Sequence, residues 1–559
     1  MRIRRKQRYQ AIEPDEILLD AQNLPGFDAT RLEGKLERPL ERNTFRNFFI
    51  VVGLLGAVFM GQLVKLQVLE AETLKERSEA NRLQQSIIIS ERGVIFDRNG
   101  ELLALNTPQP DVGFSKRTYP LGEAASHVVG YVSYPRKDSN GFWTEMVTTG
   151  KFGIELIKDA ELAGENGMEI KESSATGDVV SGSTIRVPQD GDDVTLSLDG
   201  ALQEKLYSLI KTRALEASFV GGSGVIMDVH TGEVYALTSF PSFNPEVLAE
   251  GEEVELIEEY FGDLRAPLLD RAIAGLYTPG SVVKPFMALA ALEENVISPE
   301  KSIFSSGSIS IPNPYNSELP SVFRDWKAHG WTDMREALAV SSDVYFYAVG
   351  GGYEDQQGLG ISAIEQWMRS FGFGEPTGIV LSGEEGGVIP NPKWKAENFE
   401  GERWFLGNTY HTAIGQYGFQ VSPLQLARGI AAIANGGTVL TPLLEKDGRP
   451  KKEVLPIAPS SADVVREGMR LAVKEGTAAA LNIPGVSVAA KTGTAEVGAR
   501  KEFINSVIVG FFPADAPRFA FVVVMERARA GTTAGAPLVM RQLLEWMYVE
   551  RPEMLDAVD

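Results

Sequence analysis

Of 559 residues none is cysteine, and only four are histidine: His127, His230, His329 and His411. Without a thiol the chain can hold no disulfide and no thiolate nucleophile. The histidines are far apart and form no H-E-x-x-H pair, which makes a zinc site unexpected and assigns most of them, His329 included, to structural roles. Positive charge is also scarce, with 54 Lys and Arg against 75 Asp and Glu for a net charge of -21. That balance argues against nucleic acid, whose binding needs a basic face to displace counterions. There is no GxxxxGK[ST] phosphate loop, no GxSxG elbow and no internal repeat, so P-loop and common serine hydrolase chemistries are set aside. What remains is the composition of an ordinary folded protein, 43% hydrophobic and 23% charged, with length for several domains.

One stretch fixes a location. FFIVVGLLGAVFMGQLV, from Phe48 to Val64, carries no charge and at 1.5 Å per residue spans about 25 Å, near the lower limit for crossing a bilayer. It starts too late for a signal peptide, and no A-x-A site follows. Residues 48–68 are therefore expected to be a transmembrane anchor. Arg31, Lys35, Arg38, Arg42 and Arg46 precede it, whereas Lys75, Arg77 and Arg82 follow, a modest bias that puts the N-terminus in the cytoplasm and the long remainder of the chain outside. Residues 1–47 read as a cytoplasmic tail, since a basic start gives way to acidic and turn-forming stretches without apolar periodicity.

Residues 69–190 form an expected outer module of mixed structure. LEAETLKERSEANRLQQ has a helical rhythm, SIIISERGVIFDRNGELLALN reads as two strands about an Asn99-Gly100 turn, and KESSATGDVVSGST reads as a loop. Residues 191–559 form the main domain. Asp199 is a candidate N-cap for the helix in LQEKLYSLIKTRALEA, hairpins are expected about His230-Thr231-Gly232 and in NSVIVGFFPADAPRFAFVVVMERA, and LVMRQLLEWMYVE closes the chain as a helix. The fold class is α+β, an antiparallel sheet with helices on its faces.

Chemistry is concentrated in short motifs. S-x-x-K occurs three times, at Ser208 to Lys211, Ser281 to Lys284 and Ser298 to Lys301. The first lies in an amphipathic helix and the last beside Pro299 in a connector, so both read as solvated surface. Ser281 follows Pro279-Gly280, and at i and i+3 of a helix its hydroxyl shares a face with the Lys284 amine. S-x-D or S-x-N recurs at Ser197, Ser242, Ser341 and Ser461, and Lys491-Thr492-Gly493-Thr494 sits on an expected strand. Only the ordered set Ser281-x-x-Lys284, Ser341-x-Asp343, Lys491-Thr-Gly-Thr494 combines a helix start with a strand that precedes a hairpin.

With RGVIFDRNGELLA, TPGSVVKPF, FRDWKAHG, SSDVYFY and QVSPLQLARGIAAIANGG, this set resembles the class B penicillin-binding proteins, most closely the elongation-type penicillin-binding protein 2 family. The resemblance implies a serine D,D-transpeptidase that cross-links peptidoglycan stem peptides ending in D-Ala-D-Ala and is acylated by β-lactams. It implies no cofactor and no metal. It also implies a membrane glycosyltransferase of the RodA or FtsW type as partner. On this reading Ser281 is the nucleophile and Lys284 its general base. A free lysine, with a pKa of about 10.4, is protonated, and lowering it by about three units costs roughly 4 kcal/mol, within reach of burial plus a like charge such as Lys491. Ser341 relays a proton to the leaving amine. The backbone N–H groups of Ser281 and Thr494 form the oxyanion hole, Lys491 and Thr492 hold the substrate carboxylate, and Gly493 lets a ligand approach the strand edge.

Two positions depart from the family. Asp343 stands where many relatives have asparagine, and an ionised carboxylate can only accept hydrogen bonds, so Asp343 is expected to pair with a lysine and position Lys284 and Ser341. Tyr417 stands where relatives often have glycine and is expected to serve packing. Two alternatives share the motifs. A serine β-lactamase or β-lactam sensor would differ in the fate of the acyl-enzyme, and the chain has no E-x-x-L-N for deacylation. A non-catalytic activator of a glycan-polymerising partner is opposed by the intact Ser281, Lys284 and Lys491.

Overall fold

The computed structural model describes residues 42–75, 83–109, 113–137, 143–173, 179–316, 318–498 and 500–556. The expected tail at 1–47 lies almost wholly outside them.

Helix α1 (Arg42–Val64) runs on through a π-turn at Lys65–Leu69. It begins six residues before the apolar run, because nothing in Arg42–Asn47 breaks a helix, and the 28-residue segment is long and apolar enough to cross a membrane. We describe it as a single-pass membrane anchor.

N-terminal to the main sheet, strands β1 (Ile95–Phe96) and β2 (Leu102–Thr107) are antiparallel about the Asn99-Gly100 turn. β3 (Lys116–Thr118) joins β2, and β4 (Val194–Thr195) pairs in parallel with β1. Of the stretch read as a loop around KESSATGDVVSGST, residues 174–178 lie outside the described residues, and its two ends belong to strands at Gly167–Ser173 and Val179–Arg186, with the Ser181 hydroxyl donating to Glu172 at 2.9 Å. Pairing overrides its Gly and Ser content. Beneath β1 to β3 lies a buried charge cluster: Glu155 accepts from Arg92 Nε at 2.6 Å and Arg117 Nε at 2.7 Å, and Arg92 also meets Asp159 at 2.8 Å.

The main sheet has the order β6-β5-β9-β8-β7, antiparallel throughout, from β5 (Gly221–Asp228), β6 (Val234–Phe240), β7 (Ala489–Val497), β8 (Phe503–Phe512) and β9 (Phe519–Arg529). Both faces are covered, which explains the unbroken apolar run in FAFVVVM. Phe521, Val523 and Met525 pack under helices α2 (Gly200–Ala217) and α9 (Ala536–Glu550), while Val522 and Val524 belong to the opposite core. Each such side chain contributes roughly 1.5–3 kcal/mol on burial. α2 starts where expected, with Asp199 accepting from Leu202 N at 3.0 Å. The opposite core is built on α3 (Lys284–Glu293), α4 (Met334–Val340), α5 (Asp343–Gly351), α6 (Leu406–Ala413), α7 (Pro423–Ala434) and α8 (Pro459–Glu475).

Candidate active site

The Ser281 motif is set by two glycines. Gly280, at φ +58°, opens a 3-10 turn over Gly280–Val283, and its N–H donates to Gly415 O at 3.0 Å. A Cβ on Gly415 would come within 2.3 Å of Gly280 O, so only glycine lets the two backbones touch. α3 follows directly, buried on nearly every side, with Pro285 in its first turn where no N–H is needed. This places Ser281 half-buried at the mouth and Lys284 fully buried one turn behind it.

Ser341 joins α4 to α5. It ends α4 in the left-handed conformation at φ +62°, and Ser342 caps α5, accepting from Tyr345 N at 3.3 Å. The joint is tied down by Asp325, whose Oδ2 accepts from Ser342 Oγ at 2.8 Å and Val344 N at 3.0 Å. His329 Nε2 lies 3.4 Å from the other oxygen of Asp325, and its ring packs on Trp326 at 5.1 Å.

The third motif lies on β7, the outermost strand of the sheet, where Lys491 pairs with Val509. The three motifs converge on one hydroxyl. Ser341 Oγ is 2.8 Å from Lys491 Nζ and 3.2 Å from Lys284 Nζ. Lys284 also donates to Ser341 O at 2.8 Å and to Asp343 Oδ1 at 2.6 Å. Burial, reinforced by the nearby Lys284 charge, holds the Lys491 ammonium well below the usual lysine range, and Asp343 opposes that effect.

Ser281 Oγ makes no hydrogen bond among the described residues, and Lys491 is turned inward to Ser341 and Thr492 O instead of out over the strand edge. Thr492 Oγ1 donates to Thr477 Oγ1 at 2.9 Å, and Thr494 is exposed, its carbonyl 3.2 Å from where a Gly280 Cβ would sit. Gly493 admits the protein's own turn: a Cβ there would meet Pro279 O at 2.8 Å and Val282 Cγ1 at 2.9 Å. The other S-x-x-K serines, Ser208 and Ser298, are exposed.

Sequence reasoning gave no role to Asp325. Its only signal was the proximity of FRDW to the second motif in the chain. Tyr417 packs as expected. It holds φ +64°, where glycine would be free of strain, inside a cage of Trp394, Phe399 and Trp404 with ring centroids at 6.0, 6.2 and 5.6 Å.

A serine on a helix start, a second serine between two buried lysines and an edge strand beside them make up the candidate site. Residues 222–545 match the penicillin binding protein transpeptidase domain and residues 115–196 the penicillin-binding protein dimerisation domain. The chain belongs to the penicillin-binding protein transpeptidase family. Within it, the chain is similar to peptidoglycan D,D-transpeptidase MrdA of Haemophilus influenzae, at 29% identity over 94% of this chain and 95% of that protein. It is also similar to MrdA of Escherichia coli K12, at 28% over 89% and 92%. Among solved structures, Pseudomonas aeruginosa PBP2 in complex with WCK 5153 superposes with a TM-score of 0.68, 31% identity and coverage of 84% of this chain and 99% of that one. Helicobacter pylori PBP2, solved with MreC, gives 0.68, 25%, 83% and 98%.

Proposed function

We propose that the protein is a membrane-anchored peptidoglycan D,D-transpeptidase of the elongation type, with residues 191–559 as catalytic domain, 69–190 as outer module and the catalytic domain on the outer side of the membrane. The observation that carries this reading is the Lys284–Ser341–Lys491 chain beside Ser281. Two ammonium groups pointing at Ser341 Oγ would leave the hydroxyl proton without an acceptor. A neutral Lys491 removes the conflict, since its lone pair can take that proton while Lys284 gives one of its own to Ser341 Oγ. The net result is a neutral Lys284 and a charged Lys491. Lys284 then accepts the Ser281 proton as the hydroxyl attacks the carbonyl of the penultimate D-Ala, and it passes that proton to Ser341 Oγ as Ser341 gives its own hydroxyl proton to the leaving D-Ala amine. The acceptor amine next attacks the acyl-enzyme, forming the cross-link and freeing Ser281.

The carboxylate end of the substrate is assigned to the Lys491–Thr494 segment, through the Thr492 and Thr494 hydroxyls with Lys491 behind them, and the oxyanion to the N–H groups of Ser281 and Thr494. Asp343 fixes Lys284 and, through it, Ser341. A glycan polymerase of the RodA or FtsW type is the proposed membrane partner. Penicillin exposure of the purified protein followed by peptide mass spectrometry tests the reading, with a stable adduct on Ser281 as the expected result. Rapid hydrolysis without accumulation would indicate a lactamase, and no adduct a non-catalytic activator.

A further inference from the structure

Beside the cleft, segments 311–323 and 395–417 enclose a groove of about 720 Å³. Its walls are aromatic: Tyr315 meets Phe405 edge to face at 5.3 Å, and Phe399 stacks on Tyr417 at 6.2 Å and 13°. Tyr315 is 74% and Phe399 42% exposed, large apolar faces for residues so near a catalytic cluster. Two links run from the groove to that cluster. Tyr417 lies two residues from Gly415, on which the Ser281 turn rests, and the Asp343 charge acts on His411 in the groove wall.

Charge decides what the groove can hold. Lys395 is the cation closest to the rings, and it is spent on Arg403 O at 2.7 Å, Asn408 Oδ1 at 3.1 Å and Glu402 at 3.2 Å. Burial keeps the His411 imidazole below its usual range, and so neutral. Among the described residues that line the groove, Lys395 is the one permanent cation and its ammonium is already engaged, so the carboxylates of a stem peptide would find no free ammonium in the lining. Hydrogen-bonding capacity is nonetheless available. Among the described residues the amide nitrogens of Asn313 and Asn408 make no hydrogen bond, and Asn313 is oriented by accepting from Tyr315 N at 2.9 Å. Aromatic faces with a few aimed amides suit a neutral ring that has apolar faces and a polar rim.

We propose that the groove is a glycan subsite, taking an N-acetylated amino sugar of the strand whose stem peptide is being cross-linked. This rests on the transpeptidase reading. The test uses the full chain in detergent micelles, with two probes: glycan strands stripped of their peptides, and the stem peptide without sugar. Binding is followed by fluorescence of Trp394 and Trp404, which pack on Tyr417. Glycan strands should bind saturably, and Tyr315→Ala and Phe399→Ala should each weaken them by about tenfold, with melting temperatures near that of the parent. Loss of glycan binding in Asn313→Leu, which keeps the rings, would support the aimed amide. Binding of the peptide alone with loss in the same variants would overturn the proposal, as would glycan binding that survives both aromatic changes or no binding of either probe. Penicillin labelling of Ser281 in the same preparation separates the outcomes: an unlabelled protein sinks the transpeptidase reading, whereas a labelled protein that ignores glycan sinks only the subsite.

Discussion

Two buried clusters of charge among the described residues are built on opposite principles. Beneath β1 to β3, Arg92 and Arg117 face Glu155 and Asp159, two cations against two carboxylates, with further donors spent on Thr148 O, Gly93 O and Asn106. In the cleft Lys284 and Lys491 face Asp343 alone. The balanced cluster is a fixed joint in which each charge has a partner of opposite sign. The unbalanced one holds one more cation than it can pair, and its response is a lysine poised to give up its proton. Completeness of pairing distinguishes a buried ionic group that holds structure from one that moves protons.

The largest expected effect comes from removing the helix amine. Lys284→Met should slow acylation of Ser281 by about 10²- to 10⁴-fold, measured by stopped-flow with a chromogenic β-lactam; a loss of less than about tenfold would remove Lys284 as base. Breaking the balanced cluster should cost stability instead. Glu155→Ala leaves two guanidinium groups buried without their shared partner, a loss of about 3–5 kcal/mol by denaturant unfolding. A value near zero would erase the contrast between the clusters.

Lys491→Met sharpens the comparison because its two readouts diverge. A lysine whose folded pKa is depressed binds fewer protons when folded, so it penalises stability below the unfolded value of about 10.4, and the penalty fades only as pH rises toward that value. The variant should lose acylation yet melt no lower than the parent at pH 7, and a lower melting temperature would contradict the origin assigned to the shift. Asp343→Asn should reduce acylation and move its pH profile; an unchanged profile would remove the positioning role. The smallest effect is expected at Asp270, a buried carboxyl with one oxygen unpartnered among the described residues and its pKa raised by burial to about 7. The folded state retains that proton when the unfolded state has lost it, so stability falls as pH rises from about 4 to 7. Asp270→Asn should therefore raise the melting temperature more at pH 8 than at pH 5, and an equal shift at both would show that ionisation is not the cost.

The parts of the site that sequence revealed are those encoded by adjacent residues. Ser281 and Lys284 fall on one turn, Lys491 to Thr494 on one strand, and the hairpins and Asp199 cap are local chemistry that survives folding unchanged. The parts it hid depend on distant segments meeting. That Asp325 would brace Ser342, that Gly493 would admit the turn at Pro279, and that burial would fall on Lys491 are all properties of the packed structure. Strand pairing at Gly167–Ser173 was hidden for the same reason, since its composition argues for a turn and only the partner strand settles the matter.

Ser341 ends one helix and leads into the next, so the hydroxyl shared by both amines is carried by a pivot. If α5 slid by as little as a hydrogen-bond length, both lysines would part from it while Ser281 stayed where it is.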